Sequence, residues 1–251
     1  LNLTLSDHLW LEHLTIADSS AYLPSTKDKK NLLVEFSSPN TNKPLHLGHL
    51  RNNFLGHTLS ELMKTLGHSV YKLNIVNDRG VHICKSMLAY KKWGKGTTPQ
   101  TSHMKGDHFV GKYYVLFEQA YKKQVHELTK QLGNREQAKK QAPLLQEVQT
   151  MLKQWEQGDT EVRSLWHTMN NWVYQGFDKT YHRLGITFDK IYYESATYLS
   201  GKKIIQEGLK QQIFYQKKDK SIWADLQAEA LEQKLLLRAD GTSVYMTQDI
   251  G

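Results

Sequence analysis

Leu32-Leu33-Val34-Glu35-Phe36-Ser37-Ser38-Pro39-Asn40-Thr41-Asn42-Lys43-Pro44-Leu45-His46-Leu47-Gly48-His49 contains the change of periodicity on which the fold turns. Its first five residues have the apolar, partly β-branched character of a short buried strand, and Ser37-Ser38-Pro39-Asn40 is turn chemistry that ends it. Beyond Pro44, residues Leu47, Leu50, Phe54, Thr58, Leu62 and Leu66 recur at the spacing of an amphipathic helix, and Gly67 follows as its C-terminal cap. Residues 69–76, Ser-Val-Tyr-Lys-Leu-Asn-Ile-Val, read as a second strand. Strand, loop, helix and strand in that order make a right-handed parallel unit, so the first 76 residues hold half of an open α/β sheet.

Outward from this unit the pattern is helical over 105–185. Phe109, Tyr113, Leu116, Ala120 and Tyr121 fall at helical spacing, and a Lys/Gln/Glu-rich stretch over 122–157 reads as a solvated helix face. Trp166, Met169, Trp172, Val173 and Phe177 continue the pattern until Gly185, before a strand-like 186–193. Past Tyr198, strand-like pieces at 221–224 and 235–237, with turns at Asp219-Lys220 and Asp240-Gly241, predict a small α+β insertion. The expected layout is a linker over 1–30, a first half of the sheet domain over 31–95, and a mostly helical insertion returning to the sheet over 96–193. The small insertion follows over 194–242, and a second half of the sheet domain starts over 243–251.

Composition narrows the class. With 251 residues the chain can bury one large core or two small ones. Its single cysteine, Cys84, excludes an intramolecular disulfide and a Cys-based zinc site, which fits a reducing, cytoplasmic setting. No apolar run approaches the roughly 20 residues of a membrane span, and Leu1-Asn2-Leu3-Thr4 lacks the order of a signal peptide, so no membrane partner is expected. The formal charge of +8 favours a polyanionic partner without identifying one. The chain does not start with methionine and stops at Asp249-Ile250-Gly251 with no closing element, so both ends are expected to be cuts in a longer protein.

The chemistry sits in the loop between the first strand and first helix, where open α/β sheets bind ligands. Free backbone N–H groups and the positive end of the helix dipole favour a polyphosphate there. His46 and His49, one turn apart, can donate to phosphate oxygens, Gly48 leaves room for a base or sugar, and Lys43 adds a mobile cation. The competing reading of His-x-x-His is a pair of half-buried helix histidines. Zinc ligation lacks a third ligand at a matched spacing, so no protein-bound metal is expected.

His46-Leu47-Gly48-His49 after a strand resembles the signature loop of class I aminoacyl-tRNA synthetases. The wider string, from Val34-Glu35-Phe36-Ser37-Ser38-Pro39-Asn40 through Lys43 to Leu50-Arg51, is similar to the arginyl-specific form. The resemblance runs from about residue 32 to the end, through Asn74-Ile75-Val76-Asn77-Asp78-Arg79-Gly80 and the segment 239–249. It implies a Rossmann-like parallel sheet, here incomplete, with His46, Gly48 and His49 binding ATP. Lys43 matches the position of a lysine that many arginyl enzymes use in place of the usual second-signature one. It also implies magnesium accompanying ATP, L-arginine and tRNA(Arg) as further substrates, a monomer, and arginine activation that requires bound tRNA. The first thirty residues resemble the exit from the family's appended domain, which touches the tRNA elbow. In one respect the chain departs: the family loop often reads Gly-Asp-aromatic-Gly-x-Gln, whereas here Asn77-Asp78-Arg79-Gly80-Val81-His82 puts a histidine in place of the glutamine.

A site selecting arginine needs a carboxylate that accepts two parallel hydrogen bonds from the guanidinium fork. By resemblance Asp249 supplies it, with Tyr245 four residues earlier on the same face of a helix and Glu35 as a second acidic wall. Asn40 and Ser38 match the residues that hold the α-amino and α-carboxylate groups. Taken alone, Asp249 is equally a helix-terminal acid, Tyr245 a core residue and Glu35 a paired charge. Two rivals stand beside this reading. A small-molecule nucleotidyltransferase explains the two histidines but not Ser38-Pro39-Asn40, the Tyr245/Asp249 pair or the long insertion. A non-catalytic RNA-binding module does not explain the retention of Lys43, His46 and His49.

Overall fold

The computed structural model describes residues 4–17 and 26–251. In chain order the elements begin with α1 (Asp7–Ala17), β1 (Asn31–Glu35), α2 (Leu47–Thr65), β2 (Ser69–Val76) and α3 (Val81–Trp93). Four helices follow, α4 (Gly106–Leu132), α5 (Arg135–Gln141), α6 (Pro143–Gln157) and α7 (Thr160–Leu184). The chain returns through β3 (Lys190–Tyr193) to α8 (Glu194–Lys210), then β4 (Tyr215–Gln216), β5 (Ile222–Ala224), β6 (Lys234–Leu237) and α9 (Tyr245–Ile250). No described helix is long and apolar enough to cross a membrane.

The first sheet is parallel, in the order β1-β2-β3, with Asn31 opposite Ser69 and Leu73 opposite Lys190. This is an α/β fold whose sheet is an incomplete Rossmann-like one. β1 differs from the buried strand expected: Leu33 is 67% exposed, and only Phe36, just past the strand end, is buried. Among the described strands of this incomplete sheet, β1 pairs with β2 on one side alone. The strand expected over 186–193 is confined to its last four residues, because Asp189 instead turns its carboxylate to the Lys72 N–H at 2.7 Å.

α2 begins and ends where its sequence says, with Gly67 at φ +90° after the last turn, yet it is rotated from the face its apolar stripe suggests. Leu47, Phe54 and Leu62 are exposed, whereas Asn53, Gly56 and Ser60 are buried. Close approach decides this: the Phe36 ring lies against Gly56 so tightly that a Cβ there would enter the ring. Small side chains let helix and sheet meet, which leaves the larger apolar ones outside.

The largest core lies among α3, α4, α6 and α7, around Met87, Phe109, Phe117, Val148, Trp155 and Val173. Across 122–157, Val125, Leu144, Met151 and Trp155 turn inward while Lys122, Lys123, Glu127 and Lys130 face water. α4 and α7 cross closely because Gly106 meets the Trp172 backbone and Gly176 meets Asp107. A second core of Ile205, Ile222, Leu236 and Leu237 joins α8 to the antiparallel sheet β4-β5-β6. The Thr247 hydroxyl of α9 donates to the Leu236 carbonyl, tying the last helix to that sheet.

Candidate active site

The chain leaves β1 through two residues in the left-handed region, Ser37 at φ +75° and Ser38 at φ +43°, which non-glycine residues adopt at a cost of about 1–3 kcal/mol each. Specific bonds hold them there. Ser37 Oγ lies 2.6 Å from the Tyr181 hydroxyl, the Ser38 N–H donates to Asn74 Oδ1 at 3.1 Å, and Ser38 Oγ donates to Glu35 Oε1 at 2.9 Å. Next, the Asn77 N–H donates to the Pro39 carbonyl and the Thr41 N–H to the Asn77 carbonyl, which lays Asn40 beside Asn77 as a short parallel bridge. The loops after β1 and β2 are thus stitched together at the C-terminal edge of the sheet, the side where such folds bind ligands.

His46 caps α2. Its Nδ1 accepts from the Gly48 N–H at 3.1 Å, and its own N–H donates to His49 Nδ1 at 3.2 Å, a reciprocal capping box. Both Nδ1 atoms therefore act as acceptors, so each neutral ring carries its proton on Nε2, the atom left to donate. The rings sit 4.0 Å apart, centroid to centroid. Burial, then the neighbouring His46, then Lys43 hold His49 below the ordinary imidazole range, so it is neutral at pH 7. Gly48 is exposed at the helix mouth, and Lys43 is half-buried beside it.

Glu35 at the end of β1 and Asp249 in α9 are coupled electrostatically. The Asp249 carboxyl is raised above the usual carboxylate range, chiefly by burial and then by the Glu35 charge. The backbone of α9 puts positions 245 and 249 one turn apart, but the Tyr245 side chain lies outside the described residues. A cleft of about 470 Å³ opens over Asn40, Asn77 and His82, with Glu156 of α6 and Arg238 and Thr242 of the β6–α9 turn on its other walls. Among the described residues, no group of three His, Cys, Asp or Glu side chains could hold a metal ion.

Arg79 and Glu194, to which the sequence reading gave no role, line the cleft, and Asp78 lies next to Arg79 in the chain. The Asp78 carboxylate accepts from the Tyr174 hydroxyl at 2.9 Å and from the Ser195 N–H and Oγ at 2.8 and 2.6 Å, while its carbonyl accepts from Trp166 Nε1 and Asn170 Nδ2. Arg79 is buried over the Tyr198 ring at 3.8 Å and pairs with Glu156 at 2.5 Å and Glu194 at 4.0 Å. Burial lifts Glu194 to about 7, against the pull of Arg79 and with help from Asp78 and Asp249. One signal was available for Glu194: it follows the last residue of a parallel strand, at the ligand-binding edge of the sheet. Cys84 is a free, buried thiol pushed up to about 12, chiefly by burial, so it is inert as a nucleophile.

Comparisons with known proteins agree with this geometry. The family profile described as tRNA synthetases class I (R), catalytic domain, matches residues 13–251. A curated protein of Amoebophilus asiaticus named arginine–tRNA ligase is 61% identical over 254 aligned residues, covering all of this chain and 42% of that protein. One of the same name from Parabacteroides distasonis is 55% identical with the same coverage. The chain thus spans 42% of the length of these curated relatives. Among solved structures, arginyl-tRNA synthetase from Plasmodium falciparum superposes with a TM-score of 0.63 at 20% identity, covering 88% of this chain and 34% of that one. The Thermus thermophilus arginyl-tRNA synthetase gives 0.57 at 23% identity, covering 90% and 35%. At such identities the structural likenesses speak for the fold. Taken with a profile match over nearly the whole chain, they complete what the strand, the strained serine turn and the capped histidine pair begin: the chain belongs to the class I (R) tRNA synthetase catalytic-domain family.

Proposed function

We propose that the full-length protein is an arginine–tRNA ligase, which activates arginine with ATP and transfers it to tRNA(Arg). The observation that carries this reading is the capped histidine pair on the loop that leaves β1, with both Nδ1 atoms engaged by backbone N–H groups. A triphosphate suits that pair, and a guanidinium suits the electrostatically coupled carboxylates Glu35 and Asp249.

In this reading His46 and His49 donate to ATP phosphate oxygens, Lys43 brings a positive charge to the same oxygens, and Gly48 leaves the adenine a surface without a side chain. Magnesium accompanies ATP as part of the substrate. The arginine guanidinium binds Asp249, with Glu35 and Tyr245 as walls. Asn40 and Ser38 hold the α-amino and α-carboxylate groups; Ser38 Oγ, already donating to Glu35, keeps lone pairs that can accept from the ammonium. One oxygen of the arginine carboxylate attacks the α-phosphorus, the bond to the β-phosphate oxygen breaks, and pyrophosphate leaves. A terminal ribose hydroxyl of the tRNA then attacks the activated carbonyl and AMP leaves. Positioning and phosphate-charge stabilisation supply the acceleration, with no covalent enzyme intermediate.

The same reading takes 31–95 as the first half of the catalytic sheet domain, 96–193 as the helical insertion, 194–242 as the small insertion and 243–251 as the start of the second half. Residues 1–30 then leave an appended domain, and the protein acts as a cytoplasmic monomer. The test is arginine-dependent exchange of pyrophosphate into ATP by the full-length protein, with tRNA present, followed by charging of that tRNA. Exchange driven by another amino acid, or none at all, sinks the reading.

A further inference from the structure

We propose that a second cavity, between α7 and the turn that leads into α4, receives one unpaired nucleotide of the bound tRNA. The inference lies outside the cleft described above and rests on the reading of the protein as a tRNA ligase. The cavity holds about 460 Å³, within the range of small-ligand sites. Trp172, Gln175, Gly176 and Lys179 form its α7 wall, stacked on one face by the 3.6-residue turn, while Asp178 falls about 100° round the helix and outside the walls. Gln100, His103 and Lys105 stand opposite, in the turn before α4. No carboxylate lines the space. Asp107, buried behind Gly176, is already matched by the Lys105 ammonium at 3.0 Å.

Each part of a nucleotide finds a complementary group here. Trp172 is half-buried and braced by edge contacts with Tyr90 and Phe109, ring centroids 5.6 and 5.4 Å away, so it gives a base a rigid apolar wall. Gly106 and Gly176 leave the backbone bare of side chains beside it. The Gln100 and Gln175 amides, both exposed, donate and accept as base edges require. Lys179 makes no ion pair among the described residues and is left for a phosphate, with His103 as a further donor. The rim is preformed, since the Thr98 N–H donates to Thr101 Oγ1 at 2.8 Å and the Met104 N–H to the Pro99 carbonyl at 3.0 Å. Its polar, exposed rim suits one piece of a large ligand, because free small molecules are held by enclosing, mostly apolar walls. Such a contact gains strength when the rest of the ligand is held elsewhere, as a tRNA is while its 3′ end reacts. The nucleotide must be unpaired, since only an unstacked base offers a face and an edge to a recess.

The test uses the full-length protein and a tRNA(Arg) transcript. Lys179 is exposed, so the fold does not depend on it. Lys179→Ala weakens tRNA binding by roughly 3- to 10-fold and lowers the slope of log affinity against log salt by about one, the loss of one phosphate contact, while KM for ATP and for arginine stays within about twofold. Lys218→Ala, in the exposed turn between β4 and β5, controls for general charge and leaves affinity and slope nearly unchanged. A photocrosslinking phenylalanine in place of Gln175 joins to one unpaired nucleotide, identified by mass spectrometry. Unchanged affinity and slope in Lys179→Ala, an equal loss in Lys218→Ala, or crosslinks scattered over the helical stems would each overturn the proposal. So would binding of free AMP that Lys179→Ala abolishes while tRNA affinity stays the same, which makes the cavity a small-nucleotide site. Failure of the unmutated protein to charge tRNA(Arg) removes the underlying reading, whereas normal charging with an indifferent Lys179→Ala removes the cavity alone.

Discussion

At the scale of single residues, two kinds of contact separate cleanly in their consequences. In the proposed reaction His46 and His49 are the donors to charge that grows as the α-phosphate is attacked, so on that proposal losing either Nε2 donor should lower exchange by about 100-fold while arginine affinity changes little. Pre-steady-state exchange with a separate equilibrium titration of arginine checks this; equal losses in rate and arginine binding would contradict it. Asp249→Asn in the full-length protein should act the other way. One neutral acceptor replaces a carboxylate that accepts twice, so arginine binding should weaken by roughly 10- to 100-fold, as isothermal titration would show. An unchanged arginine affinity would take Asp249 out of the pocket. The histidine pair was legible in the chain because its strand-loop-helix setting is local. The pairing of Glu35 with Asp249 was legible only through the family resemblance, because 213 residues of chain separate the two and no local pattern links them.

At the scale of elements, glycines decide which faces meet. Phe36 lies against Gly56, so Gly56→Ala forces α2 away from the end of β1 and should cost about 1–3 kcal/mol in chemical denaturation, as other overpacked sites do. A variant as stable as the parent would mean that Phe36 moves freely. The sequence places α2 correctly from end to end but points to the wrong buried face. Its apolar residues at 47, 54 and 62 make the more conspicuous stripe, whereas the packing is chosen by the small residues 56 and 60. Periodicity measures which residues are greasy; it does not measure how near a partner must come.

At the scale of the molecule, Arg79 clasps the loop after β2 to α6 and α8 at once, through Glu156, Glu194 and the rings of Trp155 and Tyr198. Arg79→Met leaves two partly or fully buried carboxylates without their cation and should destabilise the full-length protein by about 3–5 kcal/mol, read from its denaturation midpoint. A shift near zero would mean the clasp carries no strain between these parts. The same cluster makes stability pH-dependent. The folded-state pKa of Glu194 lies at about 7, above the ordinary 4.5 it takes when unfolded, with burial as the leading cause. Its contribution is therefore fully present below pH 4.5 and lost as pH rises through 7, so the melting temperature should fall across that window. Glu194→Gln should flatten the fall; an unchanged slope would place the effect elsewhere.

The chain by itself determined the local order of strand, serine turn, capped helix and second strand, together with the two histidines that its capping box orients. These follow from turn chemistry and hydrogen bonds between residues close in sequence. Only the tertiary structure decided which side of α2 is buried and that Arg79, His82 and Glu194 line one cleft with Asn40. Burial, close approach and the electrostatic coupling of distant charges depend on what lies across space, and the intervening helices α3 to α8 set those distances.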